Sequence, residues 1–219
     1  PGSPGYRSPM VAALDLSLDA VALTAAVCDI ESVSLGEAVL ADAIESALAA
    51  GARRVVVGIG GSACTDGGAG MLQALGVTVT DRAGEHVRPG GTALLQAARV
   101  DLSGLLPEAR AARFTLACDV DNPLLGPDGA AAVYGPQKGA SPSQVTLLDG
   151  ALRTWADVLA EATGTDLRDV PGAGAAGGTG FGAMAVLGAV ARPGVDIVLE
   201  LADFGGKVAA ADLVITGEG

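Results

Sequence analysis

Between Val55 and Gly76 the chain reads VVVGIGGSACTDGGAGMLQALG. A β-branched apolar run is followed by glycines separated only by Ile, Ser, Ala, Cys, Thr and Asp, and then by a helix-like MLQAL. A short apolar run bounded by glycine, here Arg53 to Ile59, reads as a buried strand of a parallel sheet. Glycines clustered at the end of such a strand have two uses. They allow a tight turn, or they let the backbone approach a ligand with no Cβ in the way.

The rest of the chain alternates in the same manner. Ser34 and Glu37 have capping-box spacing before EAVLADAIESALAAG, whose helical period stops at Gly51. VTVTD reads as a strand and DRAG as a turn, and FTLACDV is a further strand with Asp119 at its end. DNPLLGPDGAAAVYGPQKGA carries little periodicity and reads as a long loop. Ser141, Pro142 and Gln144 open a helix expected to run to about Thr163. PGAGAAGGTGFG is a second glycine-rich loop leading into AMAVLGAVA; DIVLELADF reads as a helix and DLVIT as a last buried strand. Strands alternating with helices define an α/β fold with a mixed or mostly parallel sheet and flanking helices.

Composition narrows the function. Aromatic residues make up 3% of the 219, so the core must be built from Ala, Val and Leu. Thirteen Lys and Arg stand against 25 Asp and Glu, a net charge of −12, which repels nucleic acid and anionic membrane. An acidic chain that holds an anion must do so locally, with backbone N–H groups, a metal or a few placed cations. Cys28, Cys64 and Cys118 are widely spaced, as reduced cytoplasmic thiols are, and zinc-binding spacing is absent. The apolar run Phe181 to Ala191 is too short to cross a bilayer. PGSPGYRSPM at the start and DLVITGEG at the finish both read as cut ends, so a fragment is expected.

Three readings of the first glycine loop compete. A Walker A loop needs a lysine after its last glycine, and Lys138 and Lys207 both lie elsewhere. A dinucleotide fingerprint matches at Gly58, Gly60 and Ala63, with Asp81 as the acidic partner, but sets Gly67, Gly68 and Gly70 in the first helical turns. The third is an anion site made by the N–H groups of Gly60, Gly61 and Ser62, with Asp66 either capping the next helix or pointing into the site. Asp119 and Asp121, two apart at a strand end, suit a Mg²⁺ or hydroxyl site, or an Asx turn with solvated acids. Lys138 is placed to meet a phosphate or a carboxylate, or is a plain surface lysine. His86 beside a charged turn reads as a solvated loop residue, which leaves no Ser-His-Asp set, and Cys64 reads as a small packing residue.

Five blocks, VVVGIGGSACTDGGAGMLQALG, ACDVDNPLLGPDGAAAVYGPQKGAS, PGAGAAGGTGFGAM, RPGVDIVLE and ADLVITGEG, cover most of Arg53 to Gly219. In that order they resemble the bacterial glycerate kinase family of the first type. The resemblance implies ATP-dependent phosphorylation of D-glycerate at the 2-hydroxyl. It also implies an α/β domain inserted into a flavodoxin-like domain built from both chain ends. On that pattern residues 1–34 are a divergent or linker segment, 35–211 the inserted domain, and 212–219 a strand and turn returning to the flavodoxin-like domain. The family's motifs fall on Gly60, Gly61, Ser62, Asp66, Gly67 and Gly68, on Asp119, Asp121, Asn122 and Pro123, and on Gln137, Lys138 and Gly139. Cys64-Thr65 stands where the family has Thr-Asn.

From these positions follow expected roles. Gly60, Gly61, Ser62, Thr65, Gly67 and Gly68 meet the phosphates of Mg²⁺–ATP. One carboxylate among Asp66, Asp119 and Asp121 orients or deprotonates the glycerate hydroxyl, while Asp119 and Asp121 hold Mg²⁺. Lys138, with Asn122 and Gln137, holds glycerate or the transferring phosphoryl group. The partner is a small molecule in the cytoplasm, with no nucleic acid or membrane and with room for a homodimer. Two other readings stay open: a non-catalytic binding domain lacking half of the cleft, and a nicotinamide-dependent oxidoreductase domain.

Overall fold

In the computed structural model, which describes residues 14–15, 20–24, 35–215 and 217, five strands form one sheet. They are β1 (Leu14–Asp15), β2 (Ala20–Thr24), β3 (Arg54–Gly58), β6 (Arg113–Ala117) and β7 (Val190–Arg192). They lie in the order β1-β2-β3-β6-β7, parallel except for β1. A separate antiparallel pair joins β4 (Thr78–Thr80) to β5 (Arg99–Asp101). The expected mixed α/β class is therefore what the chain adopts.

The two central strands alternate rather than being buried on both sides. Val55 and Val57 of β3 and Phe114 and Leu116 of β6 are buried and paired in register, whereas Arg54 and Arg113 are exposed. Helix α1 (Leu35–Ala49) buries Leu40, Ala41, Ile44, Ala47 and Leu48, one stripe at helical spacing. It ends at Gly51, whose φ of 96° is the left-handed stop its sequence calls for. Ser34, its expected cap, lies outside the described residues. Helix α2 (Ala69–Ala74) packs between α1 and α6 (Thr179–Leu187), and α6 reaches β6 and β7. The short α3 (Pro107–Ala111) leads into β6.

Helix α5 (Pro142–Thr163) starts as its sequence predicts. Ser141 Oγ accepts the N–H of Gln144, while the Gln144 side chain accepts the N–H of Ser141. Its inner face buries Ala151, Leu152, Trp155, Ala156 and Leu159. Trp155, fully buried, donates Nε1–H to the carbonyl of Gly67, so the long helix is pinned to the glycine loop.

Three expectations need correction. The long loop after β6 contains α4 (Ala130–Tyr134) and a 3-10 turn at Pro136–Lys138; its Ala-rich turn is too short to show a period. β7 goes unread because three residues between two glycine-bounded segments carry no alternation. DLVIT is not a buried strand among the described residues: Leu213 is 76% and Ile215 87% exposed, and no strand pairs beyond β7. Helices α7 (Gly194–Leu201) and α8 (Phe204–Ala209) precede it, α7 burying Ile197. No helix among the described residues is long and apolar enough to cross a membrane.

Candidate active site

β3 and β6 run parallel, so the loops that leave them emerge side by side at one end of the sheet. That is where open α/β sheets form ligand crevices. A hollow of about 250 Å³ lies there. One wall is the backbone of Gly60, Gly61 and Ser62 leaving β3; another is Cys118, Asp119 and Val120 leaving β6. Tyr134, Gln137 and Lys138 close it from the far side, and Ala175 and Ala176 add the second glycine loop.

Lys138 is held by the loop it faces. Its Nζ donates to Ser62 Oγ at 3.0 Å and to the Cys64 carbonyl at 2.5 Å, across 76 and 74 residues of chain. The 3-10 turn that carries it ends at Gly139, with φ of 88°. Asp119 is exposed at the hollow's edge, and its Oδ1 accepts the N–H of Gly194, the first residue of α7. This hydrogen bond leaves Oδ2 available for other contacts.

The glycines of the first loop divide into two kinds. A Cβ placed on Gly60 or Gly61 would meet nothing within 4 Å, so packing does not demand glycine there. Gly61 has φ of 72°, whereas Gly60 has neither a positive φ nor a close neighbour. Their bare backbone faces the hollow. At Gly67 a Cβ would lie 2.4 Å from the Trp155 ring, and at Gly177 it would lie 2.0 Å from the Cys64 carbonyl. Those two are packing glycines: Gly67 donates its N–H to the carbonyl of Gly177, which locks the two glycine loops together.

Several residues expected at the site stand behind it. Asp66 is buried, and its two oxygens accept the N–H groups of Gly68 and Gly70 at 3.0 and 2.9 Å, anchoring the entry to α2. That is the capping alternative of the two its sequence allows. Thr65 is also buried and donates to the Cys64 carbonyl, while Gly67 and Gly68 pack inside. Asn122 donates to the Asp128 carbonyl and accepts from the Tyr134 hydroxyl at 2.5 Å, so its amide holds Tyr134 at the hollow. Asp121 is exposed and does not line the hollow, although its charge acts on Cys118 and Tyr134.

Two lining groups are not apparent in the sequence. Burial pushes the Tyr134 phenol up, with the charges of Cys118 and Asp121 adding, so it stays a neutral hydroxyl. Burial likewise raises the Cys118 thiol, opposed by a backbone hydrogen bond at Val120 and aided by the charges of Asp119 and Asp121. Both lie inside the block ACDVDNPLLGPDGAAAVYGPQKGAS, but no spacing or residue pattern within it marks them as lining groups. His86 is exposed, as expected, and Cys64 is buried against the Ala176 carbonyl and Thr179.

The dinucleotide reading fails on topology. It requires the strand ending at the acidic residue to lie parallel beside β3, yet β4 belongs to the other sheet, and Asp81 accepts the N–H groups of Ala83 and Glu85 in its turn.

A parallel sheet whose strand ends present bare glycine backbone, a carboxylate and an ammonium to one hollow defines an α/β protein with a cleft suited to small anions. The chain belongs to the glycerate kinase family, whose model matches residues 14–219. It is 53% identical over 176 residues to a glycerate kinase of Bacillus subtilis, covering 80% of this chain and 46% of that relative. It is 46% identical to the glycerate 2-kinase of Escherichia coli K12, again over 80% of this chain and 46% of that one. The crystal structure of a “putative glycerate kinase 2” from Salmonella typhimurium LT2 superposes with a TM-score of 0.79 at 46% identity, over 82% of this chain and 48% of that one. The chain thus spans about half the length of the relatives it matches.

Proposed function

We propose that this chain carries the hollow in which an ATP-dependent kinase phosphorylates D-glycerate at its 2-hydroxyl. The supporting observation is the convergence of Gly60 to Ser62, Asp119 and Lys138, drawn from three separate segments, on one hollow. Family membership and the names of its relatives agree with it. The enzyme is read as cytoplasmic, with residues 35–211 as the inserted domain.

Phosphoryl transfer needs alignment and charge neutralisation more than covalent help. The N–H groups of Gly60, Gly61 and Ser62 are placed to receive phosphate oxygens. Lys138, fixed by Ser62 and Cys64, holds its positive charge over the same space and meets either the glycerate carboxylate or the transferred group. Asp119 is the carboxylate that can reach a substrate hydroxyl through Oδ2, Oδ1 being taken by Gly194. Asp66 acts by position, since its two hydrogen bonds to the N–H groups of Gly68 and Gly70 fix the entry to α2 that follows the loop. Asn122 sets Tyr134, and Gln137 borders the hollow.

ATP would supply the phosphoryl group and Mg²⁺ the neutralising charge. Mg²⁺ is commonly held by one or two carboxylates together with substrate phosphates. Asp119 with the nearby Asp121 fits that pattern, whereas no group of three or more candidate ligands gathers among the described residues.

A coupled ADP-release assay with D-glycerate, run on this chain and on the longest reading frame that contains it, tests the proposal. Turnover is expected in the longer protein and should fall about 100-fold in its Asp119→Asn variant if Asp119 is the general base. Unchanged turnover in that variant removes Asp119 from the chemistry. A longer protein without D-glycerate turnover supports the alternative, a binding domain.

A further inference from the structure

The other face of the sheet carries a charge arrangement that phosphoryl transfer leaves unused. Arg54 of β3 and Arg113 of β6 are direct register partners. Paired residues of neighbouring strands point to the same face, so two guanidinium groups leave the sheet side by side, both exposed. Like charges directly opposite each other destabilise a strand pair. Arg192 joins them: it pairs with Ala117, which shares a face with Arg113 by the two-residue period.

Helix α7 crosses this face, and a cavity of about 180 Å³ lies between it and the strands. Arg54, Arg113, Arg192 and Thr115 line it from the sheet, and Glu200 from the helix. Glu200 takes Arg192 at 2.7 Å. Neither Arg54 nor Arg113 has an ion pair among the described residues. Three of the chain's 13 basic residues therefore meet one acid in one groove, in a protein with 25 acidic residues.

The groove is separate from the hollow. The two share no lining residue, and Arg113 opens β6 whereas Asp119 lies beyond its last residue, Ala117, after roughly 13 Å of strand at about 3.3 Å per residue. The two are joined by one helix: α7 gives Gly194 N–H to Asp119 at its start and Glu200 to Arg192 at its end.

We propose that this groove binds a small, multiply charged phosphoryl anion, gripped by Arg54 and Arg113 and, in competition with Glu200, by Arg192. The guanidinium fork matches paired phosphate oxygens, and an anion between the two arginines removes the repulsion that the register imposes. Occupation draws Arg192 away from α7, the helix that anchors Asp119.

Calorimetric titration of inorganic pyrophosphate into the Lys138→Ala chain, with ionic strength held constant by chloride, weakens the competing hollow and leaves the groove intact, and the groove variants assign the signal. One-site binding is expected. It should weaken about tenfold or more in the added Arg54→Gln/Arg113→Gln variant, as losing charge-assisted hydrogen bonds implies. It should tighten in Glu200→Gln, where the competing carboxylate is gone. Both arginines are exposed and their mutual repulsion is removed, so the double variant should retain its circular dichroism with a Tm no lower than before, and Glu200→Gln gives an independent reading. Absence of binding to the Lys138→Ala chain, unchanged affinity in the folded double variant, or weaker binding in Glu200→Gln would overturn the proposal.

Discussion

The ammonium of Lys138 donates to Ser62 Oγ at 3.0 Å, joining a turn that follows α4 to the loop that leaves β3. The residue proposed to neutralise substrate charge is thus also the tie between two walls of its hollow. Lys138→Ala should weaken D-glycerate or ATP binding about tenfold or more, the cost of a lost charge-assisted hydrogen bond. Ser62→Ala removes one tie only and should have a smaller effect. Equal affinities for wild type and Lys138→Ala by calorimetry would take Lys138 out of ligand binding.

The two kinds of glycine predict opposite phenotypes. Gly60→Ala adds a methyl group to open space at the hollow, so stability should stay within about 0.5 kcal/mol while nucleotide binding weakens. Gly177→Ala drives a methyl group to 2.0 Å from the Cys64 carbonyl at a φ of 70°, and should cost well over 1 kcal/mol. Urea unfolding and ligand titration on both variants separate the roles. A stable Gly177→Ala protein would contradict the interlocked loops.

Cys118 supplies a chemical probe of the same wall. Its thiol is raised by burial and by Asp119 and Asp121, so the reactive thiolate is scarcer than at an ordinary cysteine near neutral pH. Alkylation by iodoacetamide, followed at this residue by mass spectrometry, should accelerate only at more alkaline pH than for a free thiol. Asp119→Asn removes a charge that opposes ionisation, so it should lower the pKa and speed the reaction at fixed pH. A slower reaction in that variant would mean the carboxylate's charge is not felt at the sulfur.

What could be read from the residues follows the range of the interactions. The cap at Ser141 and the left-handed stop at Gly51 depend on neighbours a few positions away, and both stand where their spacing puts them. The strands β3 and β6 announce themselves by composition, but their half-exposed face depends on what covers the sheet. At the site, Gly60 to Ser62, Asp119, Gln137 and Lys138 converge as the motifs suggest. Asp66 does not reach the hollow, because two N–H groups of its own loop claim its oxygens. Tyr134 was illegible, since its place is set by Asn122, twelve residues earlier, through a side-chain hydrogen bond with no sequence period.

Backbone amide shift mapping of the ¹⁵N-labelled chain during titration with Mg²⁺–ATP and then D-glycerate tests the central claim most directly. The largest changes are predicted at the N–H groups of Gly60, Gly61 and Ser62, with companion changes at Asp119 and Lys138. Saturating shifts confined to other parts of the molecule, with those five amides unmoved, would contradict it.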